Sequence, residues 1–216
     1  MTTITVFLAI LGAVLLGAMS PGPSFVLISR LSLANSRRSG MAAAIGMGAG
    51  GAVFSVLALV GLIALLQQVE WLYWGLKVCG GTYLVFLGLK IWRHSRSVMV
   101  MAGTDSLQMP GAAKAKRQDF GSFGLGFVTQ MANPKTAIVY ASIFAAMLPE
   151  NPERMLIFAL PVAVFVVEAG WYGLVALVFS APGPQQTYLR SKRWFDRAAG
   201  TVLALLGLRL IVEEMR

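Results

Sequence analysis

The sequence predicts an all-α membrane protein of six transmembrane helices, arranged as two inverted three-helix repeats. Three observations lead there: a composition too apolar for a soluble domain, six apolar runs, and an internal repeat relating runs one to three with runs four to six. Hydrophobic residues make up 57% of the 216 and charged residues 12%. That charged share is about half the ~25% of a soluble domain. Such a chain cannot clothe a globule in polar surface, and the same balance excludes disorder.

The runs cover residues 4–29, 41–66, 71–91, 120–148, 155–180 and 195–212. Each is close to the ~20 apolar residues that cross a bilayer. The first is read as a span and not as a signal peptide. No basic segment precedes it, and Pro21 follows the small residues where cleavage would fall.

The net charge of +9 sits in the gaps between runs, with no aromatic-interleaved basic stripe. It reads as topogenic charge and not as a nucleic-acid surface. Arg30, Arg37 and Arg38 follow span one, and Arg93, Arg96, Lys114, Lys116 and Arg117 lie between spans three and four. Arg190, Lys192, Arg193 and Arg197 flank the entry to span six. The opposite side shows only Arg154 and Arg216. The positive-inside rule then puts these basic segments in the cytoplasm and both termini outside. The chain is one transmembrane domain: a first repeat over 1–92, a cytoplasmic loop over 93–119 and a second repeat over 120–216.

The repeat is visible in two places. Residues 81–91 (GTYLVFLGLKI) and 200–210 (GTVLALLGLRL) share six of eleven positions, including Gly81/Gly200 and Gly88/Gly207. Span one carries Met19-Ser20-Pro21-Gly22-Pro23, and span four carries Met131-Ala132-Asn133-Pro134-Lys135 in the corresponding place. A repeat of three spans crosses the membrane an odd number of times, so its copies are inverted, a common plan of secondary transporters.

The proline-bearing segments are the candidate site. A proline removes a backbone donor and a glycine tolerates unusual dihedrals. Pro21, Gly22 and Pro23, with Ser24 directly after them, break span one. Polar backbone freed there must face protein or a watery cavity, since lipid offers no partner. Asn133, Pro134 and Lys135 bring an amide, a helix breaker and an ammonium into span four. An ionisable group at that depth costs at least about 2.5–3.5 kcal/mol and marks function by default. Glu168 lies near the middle of span five with no Lys or Arg one turn away in sequence. Its partner comes from another helix, or it carries a proton. Gly46 and Gly50 open span two at i, i+4 spacing, which suits close helix packing and also leaves room for a small substrate. A second Pro-Gly-Pro, at 182–184, reads as a stop at the end of span five. With one cysteine, Cys79, and one histidine, His94, the chain offers no dithiol pair and no convincing nucleophile, metal or nucleotide motif. No enzyme activity and no cofactor are expected.

These residues resemble the LysE/RhtB family of amino-acid exporters, the lysine-exporter and homoserine/threonine-exporter type. The likeness rests on Ser20-Pro21-Gly22-Pro23, on Gly46 and Gly50 followed by Gly61-Leu62, on Gly80-Gly81-Tyr83-Leu84 with Gly88, and on Asn133-Pro134-Lys135. It covers nearly the whole chain. It implies a multi-pass exporter of amino acids or close derivatives in the bacterial inner membrane, driven by the proton gradient. Some relatives carry an acidic residue near the position of Gly51, and its absence here favours a neutral substrate.

The expectation is therefore a secondary-active exporter with an alternating-access cycle. Its partners are a small neutral amino acid, protons and the lipid bilayer, with no nucleic acid, and the glycine faces permit a homodimer. A substrate carboxylate would meet Lys135 and the freed amides at the breaks, where half-helix N-termini favour anions. Glu168 would take the substrate ammonium or the coupling proton. The alternative is a passive small-solute channel.

Overall fold

The computed structural model describes residues 2–20, 22–66, 70–95, 119–149, 151–180 and 182–214. Among them the chain forms eight helices and no strand: α1 (Thr3–Met19), α2 (Pro23–Ala34), α3 (Arg37–Leu66), α4 (Glu70–His94), α5 (Asp119–Met131), α6 (Pro134–Met147), α7 (Arg154–Phe179) and α8 (Pro182–Glu214). Most of the expected 93–119 loop lies outside the described residues.

The eight helices relate simply to the six apolar runs. The first run is the pair α1 and α2, bent by 61°. The fourth is the pair α5 and α6, interrupted at Ala132 and Asn133. Among the described residues, Arg37–Leu62 and Arg154–Phe179 are each long and apolar enough to cross a membrane, and the bent α1–α2 pair would count as a third. The second Pro-Gly-Pro both stops α7 and starts α8. The sequence places 181–194 in a linker, whereas the structure makes helix from Pro182 onward. Proline is tolerated in a first helical turn, where its missing N–H has no partner to lose.

Helix α7 shows how such a helix sits. Leu156, Leu160, Val164, Glu168 and Tyr172 recur every four residues and are buried. Phe158, Val162 and Val166 recur at the same spacing on the other side and are exposed. Both faces are apolar, so the outer one suits hydrocarbon and not water.

Inside, α3 packs along α7 and α5, α4 along α8 and α6, and α1 against α6 and α7. The α4–α8 seam depends on glycine. A side chain at Gly88 would run into the Gly200 carbonyl, one at Gly200 into the Gly88 carbonyl, and one at Gly207 into the Gly81 carbonyl. The two backbones touch, and the helices run antiparallel. Two apolar clusters fill the interior. One joins Val14, Leu59, Tyr140, Val164 and Leu203. The other joins Ala18, Phe25, Met47, Tyr172 and Phe179. Glu168 falls between them along α7, and the polar groups described next occupy the layer it marks.

Candidate functional site

The two breaks share a local design. Gly22 caps α2 and Pro23 is its first residue, while Asn133 caps α6 and Pro134 is its first. Asn133 Oδ1 accepts from the Lys135 backbone N–H at 3.1 Å, the bond by which an N-cap side chain satisfies a first-turn amide.

Pro21 lies outside the described residues. Proline has no amide hydrogen wherever it sits, so the Gly17 carbonyl, four residues earlier, lacks its ordinary helical donor. Lys135 takes that role from the other break. Its Nζ donates to the Ser20 carbonyl at 2.8 Å and to the Gly17 carbonyl at 3.3 Å. The ammonium therefore rests on orphaned carbonyls at the negative end of the α1 dipole.

A buried polar chain runs beside this contact. Asn133 Nδ2 donates to Ser24 Oγ at 3.0 Å, Ser24 Oγ donates to Gln130 Oε1 at 2.7 Å, and Gln130 Nε2 donates to Glu168 Oε2 at 2.7 Å. All four side chains are 5% exposed or less. A backbone without a side chain makes room for the carboxylate: a Cβ at Gly51 would collide with Glu168 Oε2 and stand 2.9 Å from Tyr140 Oη. That Tyr140 hydroxyl is buried beside Glu168 without a hydrogen bond of good geometry.

These groups line one cavity. The first break lines it with Ser20, Gly22 and Ser24, and the second with Asn133, Lys135 and Thr136. Tyr140, Glu168 and Tyr172 line it as well, and Val14, Gly17, Ala18 and Val139 supply the apolar part. The free space is about 20 Å³, room for about one water molecule. Lys135 and Glu168 face the same space but bind different partners: backbone carbonyls for the ammonium, the Gln130 amide for the carboxylate.

The structure thus brings Gly22, Ser24, Asn133, Lys135 and Glu168 together. Pro23 and Pro134 are exposed beside the breaks they start. Gly46 and Gly50 are not among the described residues that line the cavity. They lie on the α3–α5 seam, where a Cβ at Gly46 would meet the Phe123 carbonyl and one at Gly50 the Gln130 side chain. Their bareness lets α5 come close enough for Gln130 to reach Glu168. Sequence reasoning passed over Gln130, Tyr140 and Tyr172. Gln130 left a signal, an amide inside an apolar run three residues before Asn133. The two tyrosines left none that separates them from core aromatics. Among the described residues, no three His, Cys, Asp or Glu side chains come together to hold a metal ion.

With this geometry in place, comparison with known proteins gives a consistent picture. The chain is 31% identical over 212 residues to the threonine efflux protein of Escherichia coli K12, covering 96% of this chain and 98% of that one. It is 29% identical over 200 residues to the threonine efflux protein of Salmonella typhimurium, covering 91% and 92%. It is 29% identical over 197 residues to the uncharacterized membrane protein YahN of Escherichia coli K12, covering 90% and 83%. No solved structure matches it. The family described as LysE type translocator matches residues 15–214, so the chain is a multi-pass membrane protein that belongs to the LysE type translocator family.

Proposed function

We propose that this protein is a secondary-active exporter of a small neutral amino acid such as threonine, driven by inward proton movement, and that it works by alternating access. The observation that carries the reading is the shared cavity. A zwitterion has a carboxylate and an ammonium a few ångströms apart, and the cavity is lined by both Lys135 and Glu168. The substrate carboxylate displaces the carbonyls now holding Lys135, and the substrate ammonium or the coupling proton meets Glu168. The apolar lining of Val14, Ala18 and Val139, with the Thr136 hydroxyl, suits a small side chain. A space of about 20 Å³ is too small for an amino acid. Substrate enters when the walls part, as a cycle of alternating access requires. The threonine efflux relatives point the same way, and a transporter leaves no call for a catalytic group.

The same reading includes six spans in two inverted repeats with both termini outside. Supporting it, α3 runs parallel to α5 and antiparallel to α7, and α4 runs antiparallel to α8, as those six crossings demand. The Thr3 hydroxyl donates to the Glu153 carboxylate, which puts the start of α1 and the start of α7 at one end. The glycine pairs Gly81·Gly207 and Gly88·Gly200 exchange when the repeats are superposed, as a two-fold axis in the membrane plane would have it.

The test uses purified protein in vesicles loaded with labelled threonine. An imposed proton gradient will drive threonine uphill, and a protonophore will abolish that movement while exchange across equal gradients continues. Threonine flux that runs only downhill and ignores the gradient would establish the channel instead.

A further inference from the structure

We propose that Gln130 is the positioning residue that couples the protonation of Glu168 to the contact between the two helix breaks. The inference rests on the proton-driven reading above and adds the part that connects proton to gate.

Gln130 does not number among the described residues that line the cavity and meets it through Ser24 and Glu168, which do. It stands at the end of α5, 1% exposed, and joins the first break, through Ser24, to Glu168 on α7. With Glu168 ionised, the direction of each bond in the chain follows from the carboxylate. It only accepts, so Gln130 presents Nε2 to it and Oε1 to Ser24. Ser24 spends its one hydroxyl proton on that oxygen and accepts from the Asn133 amide nitrogen. Every donor points toward the carboxylate, and an ionised carboxylate only accepts.

A proton placed on Glu168 Oε2 reverses this pattern. The O–H and the Gln130 N–H then face each other as two donors. The amide turns over, Oε1 accepts from Glu168, and Nε2 points at Ser24. Ser24 must now accept from Gln130 with its second lone pair, and its own proton is released from the Gln130 link. Ser24 also holds Asn133 of the second break, whose amide it accepts in either state. Taking up or releasing one proton at Glu168 thereby changes where the hydroxyl proton at the joint between the breaks points, with no covalent change. The other titratable groups that line the cavity with Glu168 are Tyr140 from α6, Tyr172 one turn along α7, and Lys135. Tyr172 also reaches Ser24 with its hydroxyl, but among the described residues only Gln130 carries an amide that can exchange donor for acceptor toward both Glu168 and Ser24.

The experiment compares wild type with Gln130→Met, which keeps the length and removes both hydrogen bonds, in vesicles with threonine as the probe. Exchange of labelled threonine across equal gradients will persist within a few-fold. Uphill movement driven by a proton gradient will fall about tenfold or more, the factor implied by losing one hydrogen bond to a charged group. A variant that keeps gradient-driven movement overturns the role of Gln130 and leaves the proton-driven reading standing. A folded variant that loses exchange as well makes Gln130 part of the binding site and overturns the inference. A wild type that shows no gradient-driven movement sinks the underlying reading instead. If the variant does not fold, Gln130→Asn and infrared difference spectra decide. The protonated carboxyl band of Glu168, assigned by its loss in Glu168→Gln, will shift to higher frequency when the amide no longer reaches it. An unmoved band in Gln130→Asn shows that the two side chains are not coupled.

Discussion

Lys135, in the first turn of α6, donates its ammonium to the backbone carbonyl of Ser20 at the end of α1, 2.8 Å away. One break thus supplies the charge that the other break's backbone lacks. Removing the charge tests both halves of that relationship. Lys135→Met leaves two carbonyls without their donor, a cost of about 1–3 kcal/mol, and takes the cation from the cavity. Threonine export from whole cells will fall at least about tenfold, while membrane-inserted protein remains. Normal export by the variant would show that the ammonium only fills a structural gap.

Cross-linking tests whether the breaks meet. Cys79 is exposed, so Cys79→Ser supplies a thiol-free background. Ser24 and Thr136 both line the cavity. In Ser24→Cys with Thr136→Cys the two thiols will join through a short bifunctional reagent, and added threonine will change the yield. If neither this pair nor Ser24→Cys with Asn133→Cys cross-links in folded protein, the breaks do not share a cavity.

Gly51 and Glu168 leave no room for a side chain between them. Gly51→Ala forces a methyl group onto the carboxylate and will destabilise the protein in detergent by about 1–3 kcal/mol. The cost will shrink when Glu168 is truncated to Ala in the same chain, a non-additivity visible in thermal unfolding. Strictly additive effects would mean that the two positions do not touch.

Topology is checked by reporter fusions. Those after residues 37, 105 and 190 will report cytoplasm, and those near 69, 151 and 216 will report the outside. A cytoplasmic C-terminus would remove both the six crossings and the inverted relation of the halves.

The parts of the site visible in the sequence are the parts whose chemistry is local. A proline breaks its own helix, and a charge inside an apolar run costs free energy wherever the rest of the chain goes. Pro134, Lys135 and Glu168 are therefore conspicuous before any folding is considered. The Ser24–Gln130 bond joins residues 106 apart, and neither side chain signals the other. Glycine is the intermediate case. A bare position announces that something comes close without saying what. Gly50 and Gly51 are neighbours in sequence, yet one step around a helix is about 100°. That step carries the surface from the α5 seam to the Glu168 carboxylate. Helix limits show the same division. The stop at Phe179 is readable from Pro182 and its neighbours, but the helical start of α8 through a basic stretch is not.

The seam between α4 and α8 bears on which parts move. Gly88 and Gly200 each bring their backbone against the other's carbonyl, and Gly207 does the same with Gly81 a helical stretch away. Sliding one helix by a single residue, about 1.5 Å, would drive side chains into carbonyls at both ends at once. The pair therefore behaves as a rigid chassis with its register locked. The α5 half-helix is held on α3 in the same way, since a Cβ at Gly46 would meet the Phe123 carbonyl and one at Gly126 the Ala43 carbonyl. Rearrangement that keeps both seams in register is left to the joints at Gly22 and Asn133, where the half-helices meet through hydrogen bonds and one lysine.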